Sequence, residues 1–176
     1  MAQKKVSVEI QGISPLLMNR FPMEPIKAIE KKPKEEQAEI AAYRDDKKKL
    51  FIPAMNIHRA LISAATYSKG KGRASLQKPV AACVMVGPDY VIMTPQKYVV
   101  DARPVVVPAT KGRVVRYRPK FEDWGLKFDI EFDDELLKAS ELREVVDNCG
   151  RLVGLADFRP EKKGPFGRFS VTSWKA

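Results

Sequence analysis

Leu126-Lys-Phe-Asp-Ile-Glu-Phe132 alternates without a fault. Leu126, Phe128, Ile130 and Phe132 point to one side, and Lys127, Asp129 and Glu131 to the other. Period two over seven residues reads as a strand with one face on a core and one in water. The stretch from Asp133 to Cys149 then changes period. Leu136, Leu137, Leu142, Val145 and Val146 are spaced for a helix, and acidic residues crowd its start, where they oppose the helix dipole. Gly164-Pro-Phe-Gly167 makes a turn, and Arg168–Trp174 alternates again as a last strand.

The N-terminal half repeats this grammar. In Lys5–Gly12, Val6, Val8 and Ile10 face one way and Ser7, Glu9 and Gln11 the other. Leu50–Ile52 is a short strand stopped by Pro53. Ala54–Tyr67 carries a helical stripe of Ile57, Leu61, Ala64 and Ala65. Val80–Val86 reads as a buried strand, with further fragments at Tyr90–Met93 and Tyr98–Val100. Without its insertions the order is β-α-β-β-α-β. The expected fold is therefore α+β, a ferredoxin-like sheet of the kind used in RNA-recognition domains.

Two segments interrupt that order within what reads as a single domain over residues 1–176. Residues 22–49 hold three prolines and many lysines around a helix at Glu35–Tyr43, and read as a mobile insertion. Residues 101–120 read as a projecting hairpin, with Val105–Val107 and Arg113–Arg118 flanking the turn around Gly112. Pro104 and Pro108 keep its first arm out of a central sheet.

The chain has 176 residues, a formal net charge of +10 and a hydrophobic content of 44%. That excludes wholesale disorder and favours an anionic partner, nucleic acid first. The charge is polarised. Residues 126–150 hold three basic and eight acidic residues, net −5, so the remainder carries +15. This suits a polyanion binder, or subunits that stack head to tail. Two cysteines, Cys83 and Cys149, are too few for a disulfide framework or a zinc site and read as buried thiols. The carboxylate cluster Asp45-Asp46 is followed by three lysines and Asp133–Glu135 reads as a natural helix start, so neither reads as a metal site, and no cofactor is expected. No apolar run approaches a membrane span and no signal-peptide core is visible, so a cytoplasmic location is expected.

Candidate contacts fall in three places. Lys69, Lys71 and Arg73 surround Gly70 and Gly72, a composition that suits phosphate. Lys111, Arg113, Arg116 and Arg118 interleave with Tyr117, cations for phosphates and a ring for bases. The segment Asp157–Phe169 combines glycines, phenylalanines and four cations, Arg159, Lys162, Lys163 and Arg168. His58, the only histidine, reads as a satisfied or solvent-facing residue, since no nucleophile motif accompanies it.

Four stretches resemble the RAMP (repeat-associated mysterious protein) superfamily. Val8-Glu-Ile-Gln-Gly-Ile-Ser-Pro-Leu17 resembles its opening strand with a Ser/Ala-Pro-Leu turn. Phe51-Ile-Pro-Ala-Met-Asn-Ile-His-Arg-Ala-Leu61 resembles its strand-to-helix transition, with Ala54 where the family usually has glycine. Phe121–Phe132 resembles a Val-x-x-Gly-x-x-Phe strand, and Gly154–Phe169 the terminal glycine loop and strand. The resemblance implies a guide-RNA backbone subunit of a multisubunit CRISPR effector in antiviral defence, or a stand-alone or phage-encoded relative. It implies contacts from Asn56, His58 and Arg59, from Lys111–Arg118 and from Lys162–Arg168. Asn19 and Arg20, on the connection after the opening strand, and Phe166, as a second stacking ring, complete the expected interface.

The expected function is sequence-tolerant binding of single-stranded nucleic acid, RNA ahead of ssDNA, by a non-enzymatic protein. Partners would be further copies of the chain or other effector subunits, with no membrane involved. Two other functions fit the same residues: a metal-independent RNA endonuclease using His58, and a phage structural or assembly protein.

Overall fold

Val8 lies opposite Phe128, and Val6 opposite Ile130, across the middle of an antiparallel sheet. A computed structural model describes residues 3–176; Met1 and Ala2, part of the sequence reading of the N-terminus, lie outside the described residues. The chain begins with β1 (Gln3–Gly12), β2 (Leu16–Leu17), α1 (Ile26–Glu30) and α2 (Lys34–Ile40). It continues through β3 (Phe51–Pro53), α3 (Ala54–Ala64), α4 (Gln77–Cys83), β4 (Met85–Gly87) and β5 (Tyr90–Ile92). The hairpin arms β6 (Val99–Val106) and β7 (Arg113–Phe121) follow, then β8 (Gly125–Asp133), α5 (Ala139–Asn148) and β9 (Phe169–Lys175).

The main sheet has the order β4-β8-β1-β9. With α3 between β1 and β4 and α5 between β8 and β9, this is the β-α-β-β-α-β topology of a ferredoxin-like α+β fold. The apolar sides of β1 and β8 are buried together with Ile57, Leu61, Leu142 and Val146 from α3 and α5. The other face carries a lattice of charge. Lys5 meets Asp129 at 3.3 Å, Lys127 meets Glu9 at 3.6 Å, and Ser7 Oγ donates to Asp129 at 2.7 Å. Lys4 reaches Asp134 at 3.9 Å. Part of the acidic segment is thus balanced from within the chain.

Where the structure departs from the sequence reading, a physical reason is visible. The run expected as a strand at Val80–Val86 is α4 followed by the short β4. Only Val80 and Val84, four residues apart, are deeply buried, while Ala81 and Ala82 face water. Pro79 sits in the first turn of α4, where its missing N–H costs nothing. The helix expected from Asp133 begins at Ala139, because Asp133 Oδ1 first accepts the Glu135 N–H in a turn. The Lys138 N–H then donates to the Glu141 carboxylate at 2.9 Å and starts α5.

The insertion is not a free excursion. Ile29, Gln37, Ala38, Ala41 and Ala42 are buried, and α2 packs on β7 and β6. Glu39 anchors it: Tyr98 donates to Glu39 Oε2 at 2.5 Å, and Arg44 forms an ion pair with the same carboxylate. The hairpin belongs to a separate sheet of order β2-β7-β6, outside the main sheet. Val106 pairs with Arg113, and Val107 N donates to Gly112 O at 2.8 Å at the turn.

Candidate nucleic-acid interface

Helix α3 enters from Pro53, and its buried stripe of Ile57, Leu61 and Ala64 leaves Asn56, Arg59 and Ser63 on a second face. The segment after α5 lies across from that face. Following α5, Cys149–Val153 forms one wide turn, closed by Gly154 N donating to Cys149 O at 2.7 Å. Leu155 N then donates to Gly167 O, Gly167 N to Pro15 O and Asp157 N to Leu17 O. These bonds fix the glycine loop against the connection that carries Asn19.

Between the helix face and the loop lies a cavity of about 490 Å³. Asn19, Tyr43, Asn56, Arg59, Ser63, Asp157, Arg159 and Glu161 line it. Three residues expected from the sequence, Asn19, Asn56 and Arg59, therefore meet in one groove. Tyr43, Ser63, Asp157 and Arg159 join them. Arg159 is held by Ala156 O at 2.9 Å and Glu161 at 3.0 Å, so its guanidinium is preset rather than free.

A second depression adjoins the first and shares Asn19. Arg20, Arg116, Tyr117 and Arg118 border it. Asp157 stands between the two: it accepts from Asn19 Nδ2 at 3.2 Å and forms an ion pair with Arg118. Arg116 reaches Glu30 of the insertion at 3.9 Å. Lys111 and Arg113 lie exposed at the hairpin turn, and Lys162 and Lys163 lie exposed on the glycine loop.

Several expected contacts lie elsewhere. Arg118 is buried and structural, because its partner Asp157 draws it inward. Phe166 is also buried, packed 6.1 Å from Phe158, with the Arg103 guanidinium 4.7 Å above its ring, so neither of its faces is open to a base. Arg168 is half-buried, and its Nε donates to Arg151 O at 3.3 Å. Lys69, Lys71 and Arg73 are exposed, but Gly70 and Lys71 share a hollow with Glu135, Lys138 and Glu141 at the start of α5. Two carboxylates there offset the two lysines, and the hollow does not include the groove residues. His58 does not line the groove, and its buried Nε2 has no hydrogen-bond partner among the described residues. Cys149 is fully buried, and burial pushes its thiol up, away from reactivity. Among the described residues no group of three metal-binding side chains occurs, and no helix is long and apolar enough to cross a membrane.

The signal for Arg159 was present in the cation count of its segment. Tyr43 sits in the insertion, and nothing in its neighbours pointed to α3. Asp157 is an acid within a largely basic stretch, a pattern that suits an internal salt bridge.

No protein-family model matches the chain, and no curated protein matches it. Solved structures do. A chain in the cryo-EM structure of the Type III-B Cmr-beta bound to cognate target RNA superposes with a TM-score of 0.62 at 14% sequence identity. The match covers 98% of this chain and 60% of that one, so this chain spans less than two thirds of its neighbour's length. The likeness is one of fold, and it agrees with the RAMP-like α+β architecture implied by the motifs.

Proposed function

We propose that the chain binds single-stranded RNA along the groove between α3 and the glycine loop, as a RAMP-type backbone subunit of a CRISPR effector. One observation carries this: Asn19, Asn56, Arg59 and Arg159, from three distant parts of the sequence, converge on one groove. Its fold is shared with a chain of a complex solved with target RNA. Arg20, Lys111, Arg113, Arg116, Lys162 and Lys163 extend the positive surface beyond it. Phosphate contacts supply most of the affinity, and Tyr117, half-exposed beside the second depression, is one ring available for stacking. The protein binds rather than cleaves. Its partners are further copies of itself or other effector subunits, arranged along one strand.

The test is purification without nuclease, an absorbance ratio at 260 and 280 nm, and digestion of the bound polymer with RNase or DNase. Co-purified, RNase-sensitive nucleic acid, followed by rebinding of a single-stranded RNA with several copies per sixty-mer, supports the reading. Protein that is free of nucleic acid and binds no RNA in low salt overturns it.

A further inference from the structure

A row of rings joins the groove to an exposed surface on the far side of β3. Tyr43, which lines the groove, lies 5.6 Å from Phe51, and Phe51 lies 4.3 Å from Tyr90. The row crosses a small ribbon in which Pro53 of β3 pairs with Tyr90 of β5. Phe51 is buried, whereas Tyr90 is 53% exposed. The Tyr90 ring is tilted 34° from that of Phe51 and covers it, so its opposite face is left to solvent. Beside it the Ala54 N–H donates to Asp89 O at 2.9 Å, which brings the start of α3 against β5. There Met55 is exposed, and the next residue, Asn56, lines the groove. The shelf of Tyr90 and Met55 thus meets the groove twice, through Phe51 to Tyr43 and along α3 to Asn56.

The other end of the ribbon is basic. Asp45 Oδ1 accepts the N–H groups of Lys47 and Lys49, both at 2.9 Å, and shapes the turn into β3. Gln96 grips the Leu50 backbone at 2.6 and 2.8 Å, which brings the loop carrying Lys97 to the end of that turn. Lys47, Lys48, Lys49 and Lys97 are exposed, and none joins an ion pair among the described residues. They outnumber the neighbouring acids, Asp45 and Asp46 in the turn and Asp89 beside Tyr90. Three residue steps of β3, about 10 Å, separate Leu50 at the basic end from Pro53 at the shelf.

A ring with an open face, near unpaired cations and continuous with a polar groove, suits a single-stranded nucleic acid. Its bases stack while its phosphates seek positive charge. An apolar peptide would cover Tyr90 and Met55 but leave the lysines unmatched. An acidic peptide would match the lysines but leave the ring unused.

Resting on the RNA-binding reading above, we infer that the bound strand leaves the groove over this shelf and stacks one base on Tyr90, with Met55 against the edge of that base. The contact does not depend on base identity, since every base has a π-face.

The experiment uses the full chain and two 12-mers, oligouridine and a strand of abasic sugar phosphates. Tyr90→Leu keeps an apolar cover on Phe51 but removes the ring. It should weaken oligouridine binding roughly five- to a hundredfold, the span of one base–aromatic stack, and change abasic binding by less than about twofold. Tyr90→Trp should hold the unmodified affinity. The log–log salt slope should be the same in Tyr90→Leu, because no phosphate contact is lost. Photocrosslinking of 5-iodouridine RNA to the unmodified protein, read by mass spectrometry of the peptides, should join the base to Tyr90, and it serves if Tyr90→Leu does not fold. Oligouridine affinity unchanged in a folded Tyr90→Leu, an equal loss on both strands, or crosslinks confined to other residues overturns the inference and leaves the groove reading standing. Failure of the unmodified protein to bind oligouridine overturns both.

Discussion

Arg118 of the hairpin and Asp157 of the glycine loop form an ion pair in which the arginine is almost entirely buried, and the same carboxylate holds Asn19. The pair joins β7 to the loop that walls the groove. It also turns an apparent surface cation into part of the fold. Removing one partner of a buried pair strands the other. Arg118→Ala should cost about 3 kcal/mol, which for a chain of this size lowers the melting temperature by roughly 6–12 °C. Arg113→Ala and Arg116→Ala should each stay within about 0.5 kcal/mol, as exposed or loosely paired residues do. Thermal melting of the three single variants is the check. An Arg118→Ala protein as stable as Arg113→Ala would mean that the pair contributes nothing.

The groove makes a separate prediction about salt. Arg20, Arg59, Arg116 and Arg159 border the two depressions, and Lys111, Arg113, Lys162 and Lys163 are exposed on the hairpin turn and the glycine loop. If six to eight of them meet phosphates, the log–log salt slope for a single strand is roughly −4 to −6. Arg59→Ala should reduce the slope by about 0.7, one phosphate's worth. Lys69→Ala and Lys71→Ala, beside the acidic start of α5, should leave it unchanged. Fluorescence anisotropy between 50 and 300 mM salt measures both, and a slope that falls equally for all three variants would refute the placement of the groove.

How far the sequence could be read depended on the distance over which each feature is determined. Strands β1, β8 and β9 and the buried faces of α3 and α5 follow from local periodicity, and each was legible. Helix α4 was not, because a short apolar run fits a buried strand or a helix equally well. The docking of the insertion was not, since Ala38, Ala41 and Ala42 become core residues only when α2 meets β7. Asn56 and Arg59 were found through their motif. Arg118 and Phe166 were misplaced because composition counts a cation or a ring without showing which way it faces. Their directions are set by Asp157 and Arg103, far away in sequence.

The anchor of the insertion should be visible in pH. The hydrogen bond from Arg44 holds the Glu39 carboxyl below its usual value, and burial with the bond to Glu39 pushes the Tyr98 hydroxyl up to about 12. A lowered carboxyl stabilises the fold above its unfolded pKa and loses that effect as pH falls through the folded value. A raised phenol stabilises below about 10, its ordinary value, and that effect fades as pH climbs towards 12. Both limbs should soften in Tyr98→Phe and Glu39→Gln. The loss at neutral pH stays under about 1 kcal/mol, because Glu39 and Arg44 are partly open to solvent. Absorbance of tyrosinate at 295 nm should show one late-titrating ring that disappears in Tyr98→Phe. Titration of all five tyrosines together would contradict the anchor.

The glycine loop offers the sharpest separation of fold from function. Gly167 has a φ of +78°, and a Cβ there would run into the Leu155 carbonyl; at Gly164 a Cβ would strike the Phe158 carbonyl. Both collisions are with backbone, which cannot swing aside as a side chain can. The main sheet does not pass through either position, and its core of Val8, Phe128, Ile130 and Leu142 lies on other elements. Gly164→Ala should therefore displace the Arg159–Lys163 segment while the sheet survives. Far-ultraviolet circular dichroism should remain close to that of the unmodified protein. RNA affinity should fall at least tenfold, about 1.4 kcal/mol, because Arg159 leaves its place across from Arg59. Gly167→Ala should cost more stability, since it adds an unfavourable backbone angle to the collision. A Gly164→Ala protein with undiminished affinity would show that the loop is not a wall of the binding groove, and would move the interface to α3 and the hairpin alone.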